Sequence, residues 1–297
     1  MAVAPLTPAR VWWSAVRPAT LAASVSPVLV GTAIAIHDGG ARPWAGVGAL
    51  VVAIAIQLGV NFSNDYSDFR RGADTPQRIG PVRAASSGVV APEHVRWAAI
   101  GAFALAVLVG LFISALTDWR LLLAGAACLL AAWLYTGGPR PYGYLGLGEL
   151  FVFVFFGLVA TCGTVYVEEL RVTPLSVIAG CALGFFASAI LVLNNLRDID
   201  TDAAAGKRTL ATRIGRPQTR RLLLALTVAG FAMPVAAVFS GVAPWPALFA
   251  IAAIPFALTA LARAFVLTDG PGLVVALKRM AAAEMAFSLL FAVGTLA

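Results

Sequence analysis

At 297 residues, 60% hydrophobic and only 12% charged, with a mean hydropathy of +0.89, the chain excludes an ordinary soluble domain, in which about a quarter of residues are charged. Its net charge of +7 suits anionic headgroups and membrane topology and points to no nucleic-acid partner. Cys128, Cys162 and Cys181 lie inside apolar runs without paired spacing, and His37 and His94 are isolated, so neither residue type marks a disulfide framework or a zinc site.

Apolar length predicts an all-α, polytopic membrane fold of about nine transmembrane helices, at roughly 17–36, 44–62, 96–117, 120–136, 149–167, 174–196, 219–241, 246–264 and 279–296. The first run follows Arg10 and Arg17 without a small-residue cleavage site and reads as a retained helix. No polar linker divides the chain, so residues 1–297 form one expected domain. Helices 2 and 6 end alike: an Asn pair, spaced acids, a Gly, then basic residues. This echo predicts two divergent half-repeats, about 1–117 and 120–241, followed by two further helices, with the matched ends facing each other across a central cavity.

At the end of helix 2 stand Asn61, Asn64, Asp65, Asp68 and Asp74. Asn61, Asp65 and Asp68 fall at i, i+4 and i+7, so a helical continuation presents the amide and both carboxylates on one face. Arg70, Arg71, Arg78 and Arg83 follow. After helix 4 comes YTGGPRPYGY, in which Tyr135, Arg140, Tyr142 and Tyr144 offer ring faces and donors where Gly and Pro break the helix. Glu149 opens helix 5 and suits its N-terminal dipole. Helix 6 ends in Asn194, Asn195, Asp198, Asp200 and Asp202, flanked by Arg197, Lys207, Arg208 and Arg213. Glu284, alone in the last helix, is set aside as a residue near the interface.

Like charges at these spacings repel unless a cation lies between them. Hard oxygen ligands clustered beside Arg and Lys favour Mg²⁺ held together with a phosphate ester. A secondary transporter would also carry repeats and membrane carboxylates, but it places them near mid-bilayer on broken helices rather than at helix ends with basic partners.

Asn64-Asp65-Tyr66-Ser67-Asp68, paired with Asp198-Ile199-Asp200-Thr201-Asp202, resembles the twin aspartate motifs of the UbiA superfamily of intramembrane prenyltransferases, and the likeness extends to Arg17-Pro18 entering helix 1. The superfamily pattern NDxxDxxxD would set its last acid at Gly72, whereas this chain has Asp74. That shift, the Arg78-to-Arg83 stretch, the tyrosine loop and NNLRDIDTDAAAGKRTLATRIG resemble the branch that prenylates 1,4-dihydroxy-2-naphthoate on the way to menaquinone. The resemblance implies that Asp65, Asp68, Asp198 and Asp202, with Asp74 as a further candidate, hold Mg²⁺ bridging a polyprenyl diphosphate. Asn64 and Tyr135 complete the candidate catalytic set. Candidate substrate-binding residues are Asn61, Arg70, Arg78, Arg83, Arg140, Tyr142, Asn194, Asn195, Arg197, Lys207 and Arg208. Other implied acceptors are 4-hydroxybenzoate and homogentisate. The resemblance places the protein in a bacterial plasma membrane.

Of the 21 basic residues, only Arg42, Arg120 and Arg171 fall on loops of one side; the rest share the other side with both acidic segments. The positive-inside rule therefore orients the acidic segments toward the cytoplasm. With nine spans, a reporter fused after Ala297 is expected on the side opposite the N-terminus, as read by protease protection of oriented vesicles. Both ends on one side would refute the count.

Overall fold

The computed structural model describes residues 6–72, 82–136 and 141–297, so Asp74, Arg78 and Arg140 lie outside the described residues. The described residues form helices and no strand: α1 (Pro8–Val16), α2 (Pro18–His37), α3 (Pro43–Arg70), α4 (Pro92–Leu116), α5 (Leu121–Thr136), α6 (Gly148–Glu169), α7 (Pro174–Arg197), α8 (Ile199–Ala204), α9 (Leu210–Phe239), α10 (Trp245–Val266) and α11 (Gly270–Leu296). The expected spans correspond to the nine long helices. Seven of them are long and apolar enough to cross a membrane; α5 is shorter, at 16 residues, and α11 carries Lys278, Arg279 and Glu284.

Proline sets several starts. Pro18, Pro43, Pro92 and Pro174 occupy the first turns of α2, α3, α4 and α7, where a missing N–H costs nothing and a fixed φ already suits a helix. Thr173 and Ser176 add a reciprocal capping box to α7. The ends differ from expectation where charge made the sequence look like loop. α3 runs on to Arg70, because its acids meet cations rather than water. α11 begins at Gly270, capped by the Asp269 carboxylate on Gly272 N–H at 2.8 Å, and its Lys278 lines a cavity. In α9 the Gly215-Arg216-Pro217 stretch bends the helix, with Gly215 at φ 74°.

α7 is the most enclosed span: 72% of its most apolar window is buried, against 22% for α4. Its Phe186 packs with Phe231 of α9 and Phe287 of α11 at centroid distances of 5.0 and 4.9 Å. On its other side α7 meets α6, whose turns from Phe153 to Val159 are π-helical. Gly157 lies so close there that a Cβ would stand 2.4 Å from Gly184 Cα. Small residues thus let two spanning helices touch backbone to backbone. Glu284 corrects the expectation of an interfacial position: it is fully buried on α11, and neither carboxyl oxygen has a hydrogen-bond partner among the described residues.

Gly157→Ala is expected to lower stability by roughly 1–3 kcal/mol through overpacking, measured as thermal unfolding in detergent. Gly163→Ala, on the same helix with nothing within 4 Å of its Cβ, is expected to cost nothing. Equal losses would refute the close packing as the cause.

Candidate functional site

The two acidic segments meet at one cavity of about 1460 Å³, open at the ends of α3 and α7 and walled deeper by α2, α6 and α11. From α3 it is lined by Asn61, Asn64 and Asp68, spaced i, i+3 and i+7 on one helical face. Asp65, expected on that face, instead lies 1% exposed and outside the lining, and its Oδ2 accepts the Ala84 backbone N–H at 2.8 Å. Asn61 is on the wall, but its amide is engaged: Nδ2 donates to the Val16 carbonyl at 2.9 Å, and Oδ1 accepts from Gln57 at 2.9 Å. Ser24 completes this buried chain by donating to Gln57 Oε1 at 3.1 Å, tying α1 and α2 to α3.

The second segment lines the cavity with Asn194, Asn195, Arg197, Asp198 and Asp202. α7 stops at Arg197, Asp198 forms a corner at φ −94°, ψ 7°, and α8 resumes at Ile199. Arg197 lies across the corner, donating Nε to Asp198 Oδ1 at 2.7 Å and Nη2 to Asn194 Oδ1 at 2.9 Å. Asn195 Nδ2 donates to Glu149 Oε1 at 2.9 Å, so Glu149, in the first turn of α6 as expected, is also a buried partner of the second motif. Asp200 faces away, 84% exposed, and pairs with Arg216 at 2.7 Å.

Three loops converge on Asp68. Arg83 Nη2 meets its Oδ2 at 2.6 Å, the Tyr144 hydroxyl donates to Oδ1 at 3.2 Å, and Lys207 Nζ stands 3.7 Å from Oδ1. The same ammonium is 3.8 Å from Asp202 and 4.8 Å from the centre of the Tyr144 ring. The Arg208 N–H donates to the Tyr144 carbonyl at 3.1 Å, binding the tyrosine loop to the second motif. Burial, with Asp198 and Asp68 adding and Lys207 opposing, pushes the Asp202 carboxyl up to about 6. Arg70 and Arg208 are exposed and outside the lining.

A narrower apolar arm of about 240 Å³ adjoins this cavity; Val60, Tyr135, Val152 and Phe156 line both. Tyr142 faces the arm, stacked on Phe151 at 3.9 Å, and burial holds its phenol neutral by raising its pKa. Tyr144, Arg17 and Lys278 also line the cavity and are not among the candidate residues read from the sequence. Tyr144 belongs to the tyrosine loop already singled out. Arg17 was signalled by its proline: it joins α1 to α2 at φ 52°, ψ 71°, a left-handed conformation costing about 1–3 kcal/mol.

Among the described residues no three His, Cys, Asp or Glu side chains converge to hold a metal ion. Their oxygens instead face Arg83, Arg197 and Lys207. The donor chemistry nevertheless fits a hard divalent cation: Asp68, Asp198 and Asp202 share one cavity with the amides of Asn64 and Asn194, and Asp202 is crowded by its fellow acids.

Comparison with known proteins adds a lineage. Residues 24–287 match the UbiA prenyltransferase family. The chain is 48% identical to the 1,4-dihydroxy-2-naphthoate octaprenyltransferase of Mycobacterium tuberculosis over 74% of its own length and 75% of that protein's. It is 44% identical to the enzyme of the same name from Mycobacterium leprae, over 84% of each chain. In fold it resembles a UbiA homologue from Archaeoglobus fulgidus bound to DMAPP and Mg²⁺, with a TM-score of 0.61 at 14% identity, covering 95% of this chain and 99% of that one.

The Arg83–Asp68 pair is nearly enclosed, with side-chain exposures of 11% and 6%. Removing one partner of such a pair leaves a buried charge, so Arg83→Met is expected to cost about 3 kcal/mol in thermal unfolding. Arg70→Met, on the exposed side of the same acid segment, is expected to change stability by under about 0.5 kcal/mol. Equal effects would refute the assignment.

Proposed function

The chain belongs to the UbiA prenyltransferase family, and from that membership we propose that it transfers a polyprenyl group from its diphosphate to 1,4-dihydroxy-2-naphthoate, releasing diphosphate and CO₂ and forming demethylmenaquinol. One observation carries this reading: acids from both motifs, Asp68 and Asp202, flank a single ammonium, Lys207, in one cavity with an apolar arm. Carboxylates, amides and cations are the parts needed to hold a diphosphate. The arm is the part needed to hold its tail.

Asp68, Asp198 and Asp202 would hold Mg²⁺, with Asn64 and Asn194 beside them and Asp65 setting the loop that carries Arg83. When bound, Mg²⁺ supplies positive charge to the diphosphate oxygens as negative charge develops on the leaving group. Lys207, Arg197 and Arg83 supply further charge to the same oxygens, in fixed positions prepared before the bond breaks. Tyr144 holds Asp68 by its hydroxyl and Lys207 by its ring face. The tail lies in the arm past Tyr135 and Phe156, where Ala49, Val52, Cys128 and Phe155 offer only apolar surface. That enclosure keeps water from the allylic cation. The aromatic acceptor then attacks through its carboxyl-bearing carbon; the carboxylate leaves as CO₂ and its bonding pair restores the ring.

The multi-span fold places the enzyme in a membrane, and the basic-residue asymmetry supports a site facing the cytoplasm of a bacterial cell, where soluble acceptor reaches it.

Purified protein with Mg²⁺, a labelled polyprenyl diphosphate and 1,4-dihydroxy-2-naphthoate is expected to yield prenylated lipid and CO₂. EDTA is expected to abolish turnover and added Mg²⁺ to restore it. Asp198→Asn and Asp68→Asn are expected to lower kcat at least 100-fold while the protein elutes unchanged in detergent. Product with 4-hydroxybenzoate alone would overturn the acceptor, and full activity in both variants would overturn the metal-diphosphate chemistry.

A further inference from the structure

Lys278 stands apart from every other cation of the cavity. It lies about 12 Å along α11 from Gly270 at 1.5 Å per residue, on the cavity wall. The lining that α11 contributes runs from Pro271 to Met285, with Lys278 at its middle; Val274, Leu277, Ala281 and Ala282 around it are apolar. Arg83, Arg197 and Lys207 are each committed to an aspartate, and Arg17, which also lines the cavity, bears on Asp68 by its charge. Lys278 forms no ion pair among the described residues. Arg10 also lines the cavity, but from the short helix α1, where a basic residue is accounted for by membrane orientation.

We propose that Lys278 is the positioning residue for the acceptor, its ammonium binding the carboxylate of the aromatic substrate. The inference rests on the acceptor assigned above. The reaction brings two anions into one cavity. The diphosphate is matched by the cations of the aspartate motifs, which leaves the arene carboxylate to be matched by a cation on another wall. Lys278 fills that place. A charge-assisted hydrogen bond from its ammonium to a bound anion favours a ring that carries a carboxylate over one that carries none. Because the carboxyl group is attached to the carbon that attacks, fixing the carboxylate fixes that carbon. The ion pair stabilises the carboxylate before CO₂ departs, so it acts on binding and orientation and takes no part in breaking the bond.

The test compares wild type with Lys278→Met and Lys278→Arg in lipid nanodiscs, each checked for monodispersity. Lys278→Met is expected to raise KM for 1,4-dihydroxy-2-naphthoate about 10- to 100-fold, the range of a lost charged hydrogen bond. KM for the polyprenyl diphosphate is expected to stay within about two-fold, and Lys278→Arg to recover most of the acceptor affinity. Inhibition by 1,4-dihydroxynaphthalene, which has no carboxylate, is expected to be the same in wild type and Lys278→Met. An unchanged acceptor KM would overturn the inference and leave Lys278 as a headgroup contact. Equal weakening of substrate and carboxylate-free analogue would overturn it as well, by showing a general distortion. Wild type inactive on the naphthoate would remove the acceptor assignment and this inference with it.

Discussion

Everything at this site follows from the cost of holding several carboxylates together where water is scarce. Asp68, Asp198 and Asp202 line one cavity, and burial with mutual repulsion raises the proton affinity of Asp202. Such a group persists only if positive charge is brought to it. Lys207 meets Asp68 and Asp202 at once, Arg83 closes on Asp68, and Arg197 closes on Asp198. The same electrostatic demand that shapes the resting site is one that a divalent cation and a diphosphate would satisfy together in the proposed reaction.

That demand draws the loops to the site. Asp65 holds the Ala84 backbone and thereby carries Arg83 to Asp68. Tyr144 joins the tyrosine loop to Asp68 through its hydroxyl, to Lys207 through its ring and to Arg208 through its carbonyl. Three connections between spanning helices are thus tied to one carboxylate. The helices beneath supply rigidity: the Gly157–Gly184 contact fixes α6 against α7, and the Gln57–Asn61 chain fixes α3 against the α1–α2 junction. A site built on the ends of packed helices keeps its charges in place before substrate arrives, which is the condition for electrostatic catalysis.

The cavity also separates two kinds of surface. Its polar wall is formed by the ends of α3 and α7; its apolar arm leads away past Tyr135 and Phe156. A substrate with a charged head and a long hydrocarbon tail has one orientation in such a space, head among the cations and tail in the arm. The π-helical turns of α6 contribute Phe155 and Phe156 to the arm, in keeping with the tendency of such turns to occur at functional positions.

Much of this was legible in the sequence, because it depends on length, hydropathy and local chemistry. Runs of about 20 apolar residues specify spanning helices whatever surrounds them, proline and Thr173 mark where several begin, and the paired Asn and Asp motifs identify the chemistry by residue type alone. Side-chain direction was not legible, since it depends on what each helix packs against. Spacing grouped Asp65 with Asn61 and Asp68, yet Asp65 turns to the Ala84 backbone and Asn64 lines the cavity instead. The turn of the chain at Asp198, which sets Asp202 on a separate short helix, has no mark in the spacing of the acids. Glu284 looked interfacial and is buried, while Lys278, in a stretch read as loop, lines the cavity from the helix α11. In each case a residue's type and position along the chain defined its chemistry, and only the packing of distant helices decided where that chemistry faces.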